Sequence, residues 1–373
     1  MITPRENLFR VFEHKQPEWI PIVGHVDPYN QPGREGMDPS LSMSLGEVKW
    51  SDESTIKFSR YLGIDIMDWY GIPVRTRYRN VEIEETQENN RTRNIWHTPR
   101  GDLSETIVIC RDKTGAVSSN FTEHMVKTPA DIEILASIFE DEITEADPEG
   151  IERTRARKAL IGNDGILLGA MPGTPLGMMY RIYSGVETLS YLWADARESL
   201  TDLFAVMEKN YLRQMRLAAG TGIDALAGVD DTSTTAISPA MFEACNMELT
   251  DRRVQTAHEF GMLYFHHSCG HIRNLLSLYR RTEMDAVYAF TIPPIGNVTI
   301  GEGRRLLGDR ITIIAGIVQL AGPMDNPEKV RADIKQMLRE AAPGDHFILG
   351  VTAYPNRTIE QTRFVIECCR NFR

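Results

Sequence analysis

The chain has 373 residues, 42% of them hydrophobic and 25% charged, which is typical of a folded globular protein and excludes an intrinsically disordered one. A formal net charge of −11 disfavours a nucleic-acid partner, because affinity for the phosphate backbone comes from clustered lysine and arginine. No apolar run reaches the roughly 18 residues of a spanning helix and the first residues lack an apolar signal segment, so we expect no membrane partner and a cytoplasmic location.

Short apolar runs alternate with amphipathic segments along the chain, a pattern that predicts repeated β-strand and α-helix units. The predicted strands are Trp19–Gly24, Ile64–Met67, Ile166–Ala170, Ala225–Val229, Leu263–His267, Ala286–Ala289, Ile311–Ala315 and Phe347–Val351. The predicted helices are Pro4–His14, Ser199–Ala219, Pro239–Phe260, Ile272–Arg281, Gly301–Leu307, Asn326–Ala342 and Ile359–Phe372. Eight strands favour a single (β/α)8 TIM barrel over residues 1–373. An open doubly wound sheet would alternate similarly, but no G-x-G-x-x-G follows the first strand.

Residues 75–121 break this alternation. Apolar and polar residues are interspersed there around a turn-rich middle, the β-branched run Thr106, Ile107, Val108 and Ile109 favours a strand, and no helical pattern is present. We interpret the segment as a β-rich antiparallel excursion from the barrel.

The segment MLYFHHSCGH places His267 and Cys269 two residues apart at the end of a predicted strand. A period of two puts both side chains on one face, at the barrel end where active sites lie. Imidazole nitrogen and thiolate sulfur are zinc ligands, so this pair is a candidate metal site. His266 faces the other way and is interpreted as a core residue. The other cysteines are few, and no disulfide framework is expected.

Several segments resemble the uroporphyrinogen decarboxylase superfamily, namely TPRENLFRVFEHKQPEWIPIVG, TGIDALAGVDDTSTTAISPAMFEA and HHSCGHIRNLLSLYRRTEMDAV followed by LGDRITIIAGIVQ. The H-x-C-G turn is similar to that of the corrinoid-dependent methyltransferase branch, which includes methylcobamide:coenzyme M methyltransferases and O-demethylase components. The resemblance implies that His267 and Cys269 bind zinc and that a methyl group moves to or from the cobalt of a corrinoid. Because no Asp-x-His-x-x-Gly motif occurs here, the corrinoid is expected on a separate partner protein.

The chain departs from that branch at the third zinc ligand. The branch supplies a cysteine after the last strand, where this sequence has Val351 and Thr352 in LGVTAYPNRT. Asp231 follows the predicted strand next to that of His267, and carboxylate oxygen is an accepted zinc ligand. We therefore expect Asp231 to be the third ligand.

Aromatic and thioether side chains collect near the predicted mouth and favour a small methylated substrate with an apolar ring, such as an aryl methyl ether. Tyr29 and Tyr354 are candidates to hydrogen-bond the leaving phenolate. The predicted substrate-binding residues of this group are Trp69, Tyr70, Met171 and Phe290.

A decarboxylase or lyase related to uroporphyrinogen decarboxylase is the alternative. Its arginine-rich loop has a partial counterpart in YNQPGREG, where Arg34 remains, and Asp65 or Asp68 in YLGIDIMDWYG is similar to its functional aspartate. We therefore also expect Arg34 to bind substrate and Asp68 to be a catalytic residue. One arginine can form a bidentate pair with only one carboxylate, which is little for a substrate that carries many. A zinc hydrolase and a binding protein with a degraded site are the further alternatives.

Overall fold

A computed structural model of the protein describes residues 2–25, 54–111, 117–316, 326–352 and 359–371. The strands are β1 (Ile22–His25), β2 (Ile66–Gly71), β3 (Val74–Tyr78), β4 (Glu82–Glu88), β5 (Arg91–Thr98), β6 (Gly101–Arg111), β7 (Val117–Glu123), β8 (Glu142–Ala146), β9 (Gly165–Pro172), β10 (Ala225–Val229), β11 (Leu263–His267), β12 (Ala286–Phe290), β13 (Thr312–Gly316) and β14 (Phe347–Thr352). The α-helices are α1 (Pro4–Phe12), α2 (Ser54–Leu62), α3 (Pro129–Asp141), α4 (Pro148–Ile161), α5 (Pro175–Met178), α6 (Gly185–Asp195), α7 (Arg197–Ala218), α8 (Pro239–Glu259), α9 (Leu276–Tyr279), α10 (Ile300–Leu307), α11 (Pro327–Ala341) and α12 (Ile359–Arg370). A π-helix spans Met179–Tyr183.

Eight strands form one parallel sheet in the order β1, β14, β13, β12, β11, β10, β9 and β2. A parallel bridge between Val23 and Asp65 joins the two ends of this order. Helices alternate with the strands along the chain, so the predicted (β/α)8 barrel is confirmed. No helix in the described ranges has the length and apolar character needed to cross a membrane.

Side chains alternate between the barrel interior and the layer under the helices, as the strand period of two requires. The interior cluster includes Ile166, Leu168, Ala227 and Phe265, all fully buried. Its lower end is closed by α1, because the Phe12 ring contacts Phe265 with the ring centroids 5.0 Å apart. The opposite end of the barrel, where the strands terminate, is therefore the end available for a site.

Asp224 connects α1 to the barrel floor. Its carboxylate accepts hydrogen bonds from Arg5 Nη1 and Nη2 at 3.0 and 2.6 Å and from the Leu167 amide at 2.8 Å, and it also pairs with Lys158. Burial alone would raise the pKa of Asp224, but these donors hold it below its ordinary value. The folded state therefore favours the ionised carboxylate.

Replacing Asp224 by asparagine is expected to lower the free energy of unfolding at pH 7 by about 2 kcal/mol, since charge-assisted hydrogen bonds are lost. Because the folded pKa is depressed, this stabilisation is present above the unfolded pKa near 4 and disappears as the pH falls through the lower folded value. Denaturant titrations from pH 7 to pH 3 should show the two proteins converging at acid pH. A constant difference across that range would contradict the linkage.

The excursion is confirmed as an antiparallel sheet of β4, β5, β6 and β7, with β3 paired separately to β8. It leaves the barrel after β2 and returns at α4, so it lies on the mouth side. The return segment contains α3, β8 and α4, none of which was predicted from the sequence.

Several element boundaries differ from prediction, and two examples follow. β1 begins at Ile22 and not at Trp19, because the buried Asn7 side chain accepts from the Glu18 amide at 2.8 Å and donates to the Trp19 carbonyl at 2.9 Å. Where a helix was predicted over Ile272–Arg281, the structure has a 3-10 turn followed by the short helix α9.

Candidate active site

Three candidate ligands meet where β10 and β11 end at the barrel mouth. The Nδ1 atom of His267 lies 2.7 Å from Oδ1 of Asp231, and the Cys269 thiol donates to the same oxygen at 3.4 Å. The structure thus brings the predicted nitrogen, sulfur and oxygen donors together. Nevertheless, within the described ranges no three His, Cys, Asp or Glu side chains are already arranged around a metal position.

Asp231 adopts an unusual backbone conformation with a φ of 52°, in the left-handed region that non-glycine residues rarely occupy. Its amide donates to the His267 carbonyl at 3.1 Å. Its Oδ2 atom lies 3.2 Å from Nε of Arg181, whose guanidinium also donates to the Val229 carbonyl. Burial alone would raise the Asp231 pKa, but His267 and Arg181 lower it to about 2.

The pKa of Cys269 is shifted upward, in the opposite direction to that of Asp231. Burial and the adjacent Asp231 carboxylate raise the pKa of its thiol to about 12. In the arrangement described here Cys269 is therefore a neutral thiol that donates to Asp231. A cation would have to replace that proton for the sulfur to become a thiolate ligand.

A cavity of about 590 Å³ opens beside His267, with Ala170 and Val229 in its wall. Trp69 and Tyr288 form its aromatic side, their ring centroids 5.1 Å apart, and the Tyr288 ring lies 5.6 Å from that of His267. Burial raises the pKa of Tyr288 to about 12, although a hydrogen bond from Trp69 acts in the other direction. Tyr288 consequently remains a neutral phenol at physiological pH.

Of the predicted substrate-binding residues, Trp69 lies in the wall of this cavity. Tyr70 also contributes to its wall, although its ring packs towards the helices and lies 5.0 Å from the Arg157 guanidinium.

Met171 and Phe290 require correction, because both are buried in the layer under the helices. Met171 has outward parity along β9, where Ile166 and Leu168 point inward. Phe290 is turned outward by a β-bulge, in which the register shifts between Tyr288 and Phe290 and Ala289 takes a φ of 60°. A Cβ added at Gly303 of α10 would come within 2.5 Å of the Phe290 ring.

Asp68 also lies outside the cavity. It points outward from β2 and forms a buried ion pair with Arg157 of α4, whose Nη2 donates to Oδ1 at 2.8 Å. Burial raises its pKa, against the opposing effect of Arg157. The alternative aspartate, Asp65, accepts from the Ile22 amide at 2.8 Å near the start of the barrel strands. Neither carboxylate is placed for catalysis at the mouth.

Three further predicted residues, Tyr29, Arg34 and Tyr354, lie outside the described residues.

Arg181 and Tyr288 are the site residues that sequence reasoning missed. Tyr288 lies two residues after the inward-facing Ala286 in the run AVYAF. The strand period of two therefore predicts that the Tyr288 side chain also faces the barrel interior. Arg181 had no such signal, since it is carried by the π-helix after β9, a distortion often found at functional sites.

A second layer of polar side chains stands behind the mouth. His266 points outward and is fully buried, with Nδ1 3.4 Å from Oδ2 of Asp230 and Nε2 2.9 Å from Oγ1 of Thr232. Asp230 in turn accepts from the Thr174 amide at 2.6 Å. The outward position expected for His266 matches this arrangement, which ties the end of β9 to those of β10 and β11.

A parallel eight-stranded barrel with imidazole, thiol and carboxylate at its carboxyl-terminal mouth defines the class of TIM-barrel proteins with a small-molecule cavity. The chain belongs to the uroporphyrinogen decarboxylase (URO-D) family, whose sequence profile matches residues 111–372. No curated protein matches the sequence.

Among solved structures, a methyltransferase from Methanosarcina mazei is similar over 100% of this chain and 99% of its own, with a TM-score of 0.61 and 12% identity. A D-psicose 3-epimerase from Clostridium cellulolyticum H10 covers 57% of this chain and 74% of its own at a TM-score of 0.34 and 10% identity. At 12% identity the similarity to the methyltransferase shows a shared fold. The TM-score of the epimerase is too low to support any conclusion about this chain.

Proposed function

We propose that the protein is a methyltransferase of the URO-D family that moves a methyl group between a small methylated compound and the cobalt of a corrinoid on a separate protein. The observation that carries this proposal is the meeting of His267, Cys269 and Asp231 beside an aromatic cavity at the barrel mouth. The fold shared with the Methanosarcina mazei methyltransferase over the full chain supports it.

His267 and Cys269 fit zinc in donor chemistry, and we propose that they hold it. Bound zinc would supply Lewis acidity, which stabilises a leaving heteroatom or lowers the pKa of a bound thiol. The protein itself contributes Tyr288, a neutral phenol that can donate a hydrogen bond to a substrate oxygen within the cavity. Trp69 and Tyr288 supply flat apolar surface, which favours an aryl methyl ether as substrate.

The decarboxylase alternative is weakened by the placement of its aspartate. Asp68 is held by Arg157 outside the cavity and Asp65 lies at the other end of the strands. A hydrolase would use the same mouth, and its products distinguish it from a methyltransferase.

The proposal is tested by mixing the zinc-loaded protein with cob(I)alamin, as a substitute for the partner-bound corrinoid, and 2-methoxyphenol. We expect the absorption spectrum to change to that of methylcobalamin while catechol forms. Methanol release without methylcobalamin would identify a hydrolase instead, and no reaction across a panel of aryl methyl ethers would refute the substrate class.

The cavity wall gives a separate prediction. Replacing Trp69 by alanine is expected to raise the KM for an aryl methyl ether roughly tenfold, because an aromatic contact of about 1.4 kcal/mol is lost. The matched control is Met171→Ala, which should lower stability by about 2–5 kcal/mol and leave KM unchanged, since Met171 packs under the helices. Equal effects of the two changes on KM would show that Trp69 does not contact the substrate.

A further inference from the structure

The wall of the cavity beside His267 changes in chemical character between the barrel interior and α4. On the interior side, Trp69, Tyr288 and His267 line it with aromatic and imidazole rings. On the other side, Asp147 and Arg153, at the start of α4, line the same cavity. A ligand that fills the cavity of about 590 Å³ therefore meets rings on one side and charged groups on the other.

Asp147 is paired with two arginines on this charged side. Nη2 of Arg153 donates to its Oδ2 at 3.1 Å, and Nη2 of Arg75, from β3, lies 2.6 Å from its Oδ1. The Asp147 side chain is 12% exposed, whereas both arginine side chains are 57% exposed. One shielded carboxylate thus holds two guanidinium groups beside the cavity and neutralises only one of their two positive charges.

Within the described ranges, the second negative charge near these arginines comes from Glu149. Its Oε2 lies 3.7 Å from Nη2 of Arg75 and 3.7 Å from Nη1 of Arg153. At that distance neither contact is a hydrogen bond. The Glu149 side chain is 78% exposed, and exposed ion pairs contribute little to stability. Another carboxylate can therefore take the place of Glu149 at small cost.

We propose that Arg153, supported by Arg75, binds a carboxylate of the substrate in the place that Glu149 occupies here. Arginine binds a carboxylate through two parallel hydrogen bonds, which fix the orientation of the group as well as its position. The substrate is thereby narrowed to a methoxylated aromatic acid that lies with its ring between Trp69 and His267 and its carboxylate towards α4. The inference rests on the proposed function for the methyl group only.

The first test measures binding to the full-length protein without zinc or corrinoid. Isothermal titration calorimetry compares 4-methoxybenzoate with 4-methoxybenzamide, a neutral compound of nearly the same shape. We expect the acid to bind about tenfold more tightly, because hydrogen bonds to charged groups are the stronger ones. Added salt should reduce this difference, since partly exposed charges are screened. Equal affinities, or no binding of the acid, would overturn the proposal.

The second test locates the binding group. Arg153→Met is expected to weaken binding of the acid about tenfold and to leave binding of the amide unchanged. Arg155→Met is the matched control, because Arg155 lies on the same helix with the same exposure of 57%, pairs with Glu152 at 3.1 Å and is not part of the cavity wall. It should leave both affinities unchanged. Equal weakening by the two substitutions would contradict a specific role of Arg153.

Glu149→Gln tests the displacement itself. Removing the competing carboxylate is expected to strengthen binding of 4-methoxybenzoate about two- to fivefold, which corresponds to the loss of an exposed ion pair. If Glu149 instead held Arg153 in place for the ligand, the same change would weaken binding. Unchanged or weaker binding of the acid would therefore contradict the displacement.

These binding tests separate the inference from the proposed function. If the acid binds as expected but no methyl group reaches cobalt, the methyltransferase function fails and the carboxylate site stands. If 2-methoxyphenol donates its methyl group and the acid shows no preference over the amide, the carboxylate site fails alone.

Discussion

A protein in which alanine replaces Cys269 is expected to bind no stoichiometric zinc and to lose methyl transfer by about three orders of magnitude. Cys269 supplies the sulfur of the proposed pair with His267, and one remaining donor holds a metal poorly. Metal-ion catalysis contributes several kcal/mol of transition-state stabilisation, and each 1.36 kcal/mol is a factor of ten in rate. Metal analysis and initial rates of methylcobalamin formation measure both consequences.

The control for this change is Cys245→Ala, since Cys245 lies in α8, packed against the buried core on the helix side of the barrel. That protein should keep both zinc and activity. Stoichiometric zinc in Cys269→Ala, or full activity of a metal-free protein, would contradict the assignment of Cys269 as a ligand.

Replacing Arg253 by methionine is expected to lower the free energy of unfolding by about 3–5 kcal/mol. Arg253 and Glu208 form an ion pair with side chains 0% and 1% exposed, so the change leaves a buried carboxylate without its partner. Arg253 also donates to the carbonyls of Pro172 and Gly173 at 3.0 Å each, at the end of β9. Denaturant unfolding of the purified protein measures the loss.

The double variant Arg253→Met/Glu208→Leu provides the control for that prediction. Removing both charges relieves the unpaired carboxylate, so we expect it to be more stable than Arg253→Met alone. A loss below about 1 kcal/mol in Arg253→Met would show that the pair does not stabilise the fold in this way.

The barrel could be predicted because each of its eight buried strands is an apolar run in the sequence. Each of the eight predicted runs overlaps an observed strand. Positions facing the mouth are harder to predict, since one residue of register reverses a side chain. Phe290 shows this best, because a bulge at Ala289 that no local pattern marks turns it under the helices.

The candidate site was partly accessible from the sequence. His267 and Cys269 could be paired because their spacing lies within one strand end. Asp231 contacts His267 and Arg181 only because segments about 36 and 50 residues apart along the chain pack together. Asp68 was misplaced for the same reason, since its partner Arg157 lies in a helix that the sequence analysis did not assign.

Following a labelled methyl group tests whether the protein transfers a methyl group to cobalt. The zinc-loaded protein is mixed with cob(I)alamin and 2-methoxyphenol carrying a trideuterated methyl group, and the corrinoid is analysed by mass spectrometry. We expect the unmodified protein to form trideuteromethylcobalamin and unlabelled catechol in equal amounts, and Cys269→Ala to form about a thousandfold less of each in the same time. Label recovered as methanol, or equal transfer by both proteins, would contradict it.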